Sequence, residues 1–411
     1  MAKLVGATLY LYLYLFLLLL LHLHCHQCKP AAAAAAASFV VHGGGGATAR
    51  AAAVRAVFVF GSSLVDNGNN NHLNGSGAVR ADYAPYGVDF PLGATGRFSN
   101  GRNVIDALGE LLRLPAAGLL PPFADPATRG RAALHGVNFA SGGSGILDLT
   151  GKNKGEVLSL KQQITNFEAV TLPDLRAHLQ GATTATTTTG HKMKGQDFFD
   201  QCYLPKSLFI IGTGGNDYLL NYFNAGSGPT RAPLSEFTSS LLTKLSNHLQ
   251  RLYDLGARKF VLFSIQPLGC TPVVRTFLNA TSDACIEPMN HAALLFNSGL
   301  RSIVKNHNGG VRSHMPGASF VYVNSYKIIS DIIQHPAKYG IRKTSRACCE
   351  VSRGGVLCQK GGPICSDRTK YAFFDGLHPT DVVNARLARK AYGSNSPDKV
   401  YPINVKKLAM L

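Results

Sequence analysis

Five short apolar runs, each breaking off into Gly, Ser, Asn or Pro, most constrain what this chain can fold into. They cover residues 57–60, 136–140, 207–211, 260–265 and 320–324. Near-continuous rather than alternating, they read as strands buried on both faces. Between them lie stretches with helical spacing, such as Leu241, Leu245, Leu249 and Leu252, or Leu294, Leu295, Leu300 and Ile303. Strands joined through helices imply an α/β fold. Right-handed crossovers make it a single doubly wound domain, a roughly five-stranded parallel sheet with helices on both faces. In such a sheet the ligand crevice lies beyond the carboxyl ends of the strands, so chemistry is sought in the loops that follow them.

Not all 411 residues belong to that pattern. After Lys3, the stretch from Gly6 to about Leu21 is almost wholly Leu, Tyr, Phe and Ala, the layout of a secretory signal peptide. It is short for a span, which needs roughly 20 apolar residues, although an uncleaved anchor is the alternative. Residues 1–28 are read as the signal, cleavage site open, and 29–53, rich in Ala and Gly, as a low-complexity leader. The folded domain is then 54–400, with a Thr-rich mobile insertion near 181–196. No stable membrane span is expected after cleavage. His22, His24, Cys25, His26 and Cys28 suit Zn²⁺ by type, but they fall in or beside the discarded segment, so no metal is expected.

The expected location is extracellular. Asn74 and Asn279 head Asn-x-Ser/Thr triplets, which fit N-glycosylation. Cys270, Cys285, Cys348, Cys349, Cys358 and Cys365 cluster late and suggest one to three disulfides; with Cys202 the count is odd, and Cys202, isolated in sequence, is the candidate for a thiol that is free or paired elsewhere. The formal charge of +18 would suit nucleic acid, but Lys and Arg are dispersed without a dense basic run, so that partner is not expected. An exported basic protein is expected instead to meet an anionic matrix, such as pectic cell-wall polysaccharide if the host is a plant.

Three of the loops carry chemistry. The first strand runs into Gly61-Ser62-Ser63-Leu64-Val65-Asp66-Asn67-Gly68-Asn69-Asn70, placing Ser63 where a nucleophile is useful. The alternative is a serine that merely bonds a turn. Ester hydrolysis by serine needs a base and donors for the oxyanion. Gly142 and Gly143 follow the second strand and can turn an N–H toward an oxyanion, or else serve a helix start or close packing. Asn216, in Gly214-Gly215-Asn216-Asp217 after the third strand, can donate two hydrogen bonds, or else cap a helix. Late in the chain, Asp375 precedes His378 by three residues, so its carboxylate can reach Nδ1 and leave Nε2 as base. Pro379-Thr380 then open a helix over 381–391.

In order, these blocks resemble the plant GDSL esterase/lipases, a branch of the SGNH hydrolases: Phe60-Gly61-Ser62-Ser63-Leu64, then 136–143, 214–217 and 375–380. The likeness runs from about Val57 to Tyr392 and takes in 96–102, 267–270 and the Cys348-Cys349 pair. It implies an SGNH, flavodoxin-like fold with Ser63 as nucleophile and Asp375 and His378 completing a triad. By the same resemblance the Ser63 N–H, a Gly142 or Gly143 N–H and Asn216 form the oxyanion hole, and no cofactor is required. The implied activity is hydrolysis of carboxylic esters, either acyl lipids or acetylated sugars or wall polymers, through an acyl-enzyme. Two positions depart. Ser62 stands where the family has Asp, a residue that supports the turn, and Phe374 stands where Trp is frequent. Ser62 motivates the alternative of a catalytically weak member acting as a basic extracellular binding protein. Val65 rules out Gly-x-Ser-x-Gly and with it an ordinary α/β-hydrolase elbow.

Overall fold

β1 (Val57–Gly61) is buried at every position, as its unbroken apolar sequence requires. The computed structural model describes residues 54–74, 79–181, 185–186, 192–193, 195–224, 232–278, 283–308, 314–352 and 355–411. The remaining strands of the central sheet are β2 (Gly136–Asn138), β3 (Leu208–Gly212), β4 (Lys259–Phe263), β5 (Ser319–Val323) and β6 (Val400–Tyr401). Their order is β2-β1-β3-β4-β5-β6, parallel throughout except for β6, which pairs antiparallel with β5. The five expected strands are therefore joined by a sixth. Two residues between a turn and Pro402 make no apolar run, so nothing local announces it.

Register sorts the two faces by side-chain type. Phe58, Phe209, Phe260 and Phe320 align across four strands on one face, and Val59, Ile210, Val261 and Val321 align on the other. The aromatic row stacks closely, with the Phe260 and Phe320 rings 4.5 Å apart and Phe167 packed 5.0 Å from Phe58. The aliphatic row belongs to a core shared with α1 (Val104–Leu112), α5 (Ser325–Gln334), α6 (Asp381–Gly393) and α7 (Val405–Met410). On the aromatic side α2 (Leu160–Asn166) packs on α3 (Leu234–Asp254), α3 on α4 (Glu287–Asn308), and His307 of α4 stacks on Phe320. Layers on both faces shield every strand from water, which is why neither face needs polar residues.

One sequence expectation is corrected here and one open alternative is closed. The buried stripe of α4 is Met289, Ala293, Phe296, Leu300 and Val304, while Leu294 is 47% exposed. Leu295 to Leu300 is a five-residue step, which leaves one helix face; the observed stripe keeps steps of three and four. Cys202, which the sequence leaves as free or paired elsewhere, is disulfide-bonded. Isolation in sequence carries no information about distance in space. Among the described residues, Cys270–Cys285, Cys348–Cys365 and Cys349–Cys358 are also bonded.

The described residues fall into two compact units, one within 176–203, the other within 54–175 and 204–411. In the first, Arg176 pairs with Asp200 at 3.1 Å and Phe199 stacks on Tyr203 at 5.5 Å. Within the expected mobile insertion, Ala185–Thr186 pairs antiparallel with Lys192–Met193, a ladder that its Thr-rich composition concealed. The second unit holds the whole sheet. At its margins, Asn138 of β2 exchanges hydrogen bonds with Pro121 and Phe123 (2.9 and 2.8 Å), and β6 is only two residues long. The signal, the leader and Asn279 lie outside the described residues. No helix among the described residues is long and apolar enough to cross a membrane.

Candidate active site

β1 ends where the strand order reverses, with β2 on one side and β3, leading to β4 and β5, on the other. Such a switch point opens a crevice beyond the strand ends. At Gly61, φ is 148°, and a Cβ would lie 2.1 Å from the Gly212 carbonyl oxygen, so only glycine lets β1 and β3 run this close. The chain then turns, with the Ser62 N–H on Gly212 O (3.0 Å) and the Val65 N–H on Ser62 O (3.0 Å). Ser63, 6% exposed, sits within that turn.

Side chains pin the loop to the one after β2. Asp66 Oδ1 accepts the Gly68 and Asn69 N–H groups (2.8 and 2.9 Å), and Oδ2 accepts the Gly142 N–H (2.9 Å). Asn69 Nδ2 donates to Ala140 O (2.8 Å), and Asn70 joins Gly142 O and the Ser141 hydroxyl (2.9 and 2.6 Å). Burial pushes the Asp66 carboxyl up to about 6 against these N–H donors and the Arg97 charge. One expectation is thereby narrowed: the Gly142 N–H is already engaged by Asp66, whereas Gly143 borders the cleft at Ser63.

The base arrives from the far end of the chain. Lys343–Ala347 and Tyr371–Phe373 pair in parallel, and between them run the two disulfides Cys348–Cys365 and Cys349–Cys358. Beyond this pair, Asp375 Oδ1 accepts the N–H groups of Leu377 and His378 (both 2.8 Å). His378 Nδ1 lies 2.7 Å from Asp375 Oδ2, and Nε2 lies 2.7 Å from Ser63 Oγ. Both are buried, His378 2% exposed and Asp375 0%. Phe98 covers the imidazole, with ring centroids 5.0 Å apart, and Gln266 Nε2 holds the Leu377 carbonyl at 2.9 Å. Thr380 occupies the N-cap position of α6, as the Pro-Thr signal anticipates.

Asn216 follows β3 and lines the same cleft. One N–H of its amide donates to Ser144 O (2.8 Å), and the nitrogen carries a second hydrogen. The adjacent Asp217 anchors this loop by accepting from the N–H groups of Ile146 and Leu147 (2.8 and 3.0 Å) and the Thr150 hydroxyl (2.7 Å); burial raises its carboxyl. The Asn-Asp pair thus divides its work between facing the cleft and fixing the loop. The cleft, about 400 Å³, is walled by Leu219, Leu220, Phe223, Val273, Met289 and Val356. Beside Ser62 a smaller cavity of about 50 Å³ is lined by Thr213 and Gln266, whose Oγ1 and Oε1 have no hydrogen-bond partner among the described residues. Asn74 is exposed.

Sequence reasoning missed two side chains. Tyr86 donates its hydroxyl to Asp375 Oδ2 (2.7 Å), and Gln266 secures the residue before the base. Neither belongs to a local pattern; a contact between positions 289 apart leaves no trace in spacing.

The family model described as GDSL-like Lipase/Acylhydrolase matches residues 57–391. An Arabidopsis thaliana protein named GDSL esterase/lipase is 40% identical over 364 residues, covering 88% of this chain and 90% of the relative. A second of that name and organism is 38% identical over 367 residues, covering 88% and 92%. A third is 36% identical over 366 residues, covering 88% and 93%.

Proposed function

This chain belongs to the GDSL-like lipase/acylhydrolase family and is a carboxylic ester hydrolase; we propose that it cleaves esters of apolar acyl groups through an acyl-enzyme on Ser63. The observation that carries this reading is the hydrogen-bonded line from Ser63 Oγ through His378 to Asp375, with both links at 2.7 Å. His378 Nε2 takes the hydroxyl proton as Ser63 Oγ attacks the ester carbonyl, and Asp375 holds the imidazole in the required tautomer. The oxyanion that forms accepts from the Ser63 and Gly143 N–H groups and the second N–H of Asn216. Collapse expels the alcohol, which takes its proton from His378. Water then enters and gives a proton to the same nitrogen as its oxygen attacks the acyl carbon. The bond to Ser63 Oγ breaks, releasing the acid while His378 returns the proton to Ser63.

The acyl preference rests on the cleft. Its walls are aliphatic and aromatic, with few groups to pair the hydroxyls of a sugar, so an acyl chain loses less on leaving water than a glycan would. Export is the reading of location. The apolar N-terminal run and the paired cysteines both suit an oxidising compartment.

The test is hydrolysis of p-nitrophenyl esters of graded chain length by the purified protein and by Ser63→Ala. Replacing the nucleophile is expected to lower kcat by about 10⁴-fold or more. Medium-chain esters are expected to outrun the acetate. Equal rates for wild type and variant would reject Ser63, and a preference for acetate would reject the acyl cleft.

A further inference from the structure

Tyr86 stands outside every motif that organises the site, yet it reaches the carboxylate behind the base. Its hydroxyl donates to Asp375 Oδ2 at 2.7 Å and accepts the Cys358 N–H at 3.1 Å. The side chain is 1% exposed and held edge-on by Tyr83, Phe98 and Phe374, with ring centroids 5.4, 6.1 and 5.7 Å away. Asp375 is therefore fixed at both oxygens. Oδ1 sits on the backbone N–H groups of its own turn, and Oδ2 sits between a phenol and the imidazole. Burial, and after it the Asp375 charge, raise the Tyr86 phenol well above its ordinary range, so it stays a donor at neutral pH.

We propose that Tyr86 is a positioning residue of the hydrolysis, holding Asp375 in register with His378 Nδ1 and tying that register to the Cys349–Cys358 loop through the Cys358 N–H. The proposal rests on the reading of Ser63, His378 and Asp375 given above. A phenol donor draws charge from the carboxylate. Without it the carboxylate turns more freely and attracts a protonated imidazole more strongly, so the base is lost at higher pH. The titratable groups facing Asp375 are His378, Tyr86 and, behind it, Tyr83; the Ser63 hydroxyl and the Phe98 ring face the imidazole.

Tyr86→Phe keeps the ring and removes only the donor. Tyr83→Phe is the control, because its hydroxyl donates to the Cys358 carbonyl (2.9 Å) and not to Asp375. On a short-chain aryl ester, Tyr86→Phe is expected to lower kcat about tenfold with KM unchanged, the scale of one hydrogen bond to a charged group. The acid limb of its kcat/KM profile is expected to move up by about half a pH unit. In Tyr83→Phe the limb should stay in place. A 3,5-difluorotyrosine at position 86, a stronger donor, should move the limb down, which keeps the test open if Tyr86→Phe folds poorly. The proposal is overturned if Tyr86→Phe lowers only Tm, if both phenylalanine variants move the limb equally, or if fluorination leaves it fixed. Activity surviving in Ser63→Ala would instead bring down the underlying reading, and Tyr86 with it.

Discussion

The loop that carries Ser63 and the segment that carries His378 meet at one hydrogen bond, yet they are held by different means. Ser63 follows a fully buried sheet strand by two residues, and its loop is fastened by Asp66, Asn69 and Asn70 without any covalent link in the segment 62–71. His378 follows a three-residue strand at the end of an excursion stapled by two disulfides. A strand locked on both sides by parallel neighbours delivers its first loop residues to a fixed place, so short polar side chains suffice. The base has no such platform, and its segment carries cross-links that lower the entropy of the unfolded chain. Two constructions converge on a 2.7 Å contact, and each should fail in its own way.

The largest effect is expected from opening the staple that contacts Tyr86. Cys349→Ser with Cys358→Ser releases a nine-residue separation and should cost about 2–4 kcal/mol in chemical unfolding. Activity should fall along with stability, because Cys358 also contacts Tyr86 and thereby Asp375. Full kcat in the folded double variant would break the comparison.

A smaller loss is expected on the nucleophile side. Asn69→Ala strips the Ala140 carbonyl of its amide partner and leaves the Ala124 N–H without the acceptor it now has, for about 2 kcal/mol. Here kcat should hold, since Asp66 and Asn70 still pin the loop. A collapse of kcat at unchanged fold would show that this loop is no better secured than the other.

The smallest effect should come from an ion pair on the outside of the stapled segment, Arg368 with Asp89 at 2.6 and 2.9 Å. It is partly exposed, so Arg368→Ala should cost under about 1 kcal/mol. Its hydrogen bonds to Arg368 hold the Asp89 carboxyl below the usual range. A depressed folded value means the stabilisation is present above the unfolded value of about 3.9 and is lost on acidification. The Tm gap between wild type and variant should accordingly shrink from pH 7 to pH 3; a constant gap would assign the effect to packing.

This contrast also marks how far the sequence could be read. β1, β3, β4 and β5 were legible because strands buried on both faces must be apolar throughout, and Asp375 and His378 because one turn of chain brings them together. Ser63 was legible from its place after β1. Tyr86 and Gln266 were not, since their partners lie in other segments and only the folded chain brings them near. The choice between Gly142 and Gly143 stayed open for a related reason: it depends on where the Asp66 side chain turns, which backbone spacing does not encode. β6 escaped because two residues show no period, and Cys202 because bonding follows distance in space rather than in sequence.

The margins of the sheet have a consequence for how these molecules meet each other. A long outer strand offers a neighbour a ladder of unpaired amides, the usual start of intermolecular growth. Here one margin has three residues already bridged by the chain's own 121–123 segment, and the other has two residues followed by a proline that has no amide to lend. Recruitment of a second copy through backbone pairing is thereby disfavoured at both margins of the central sheet.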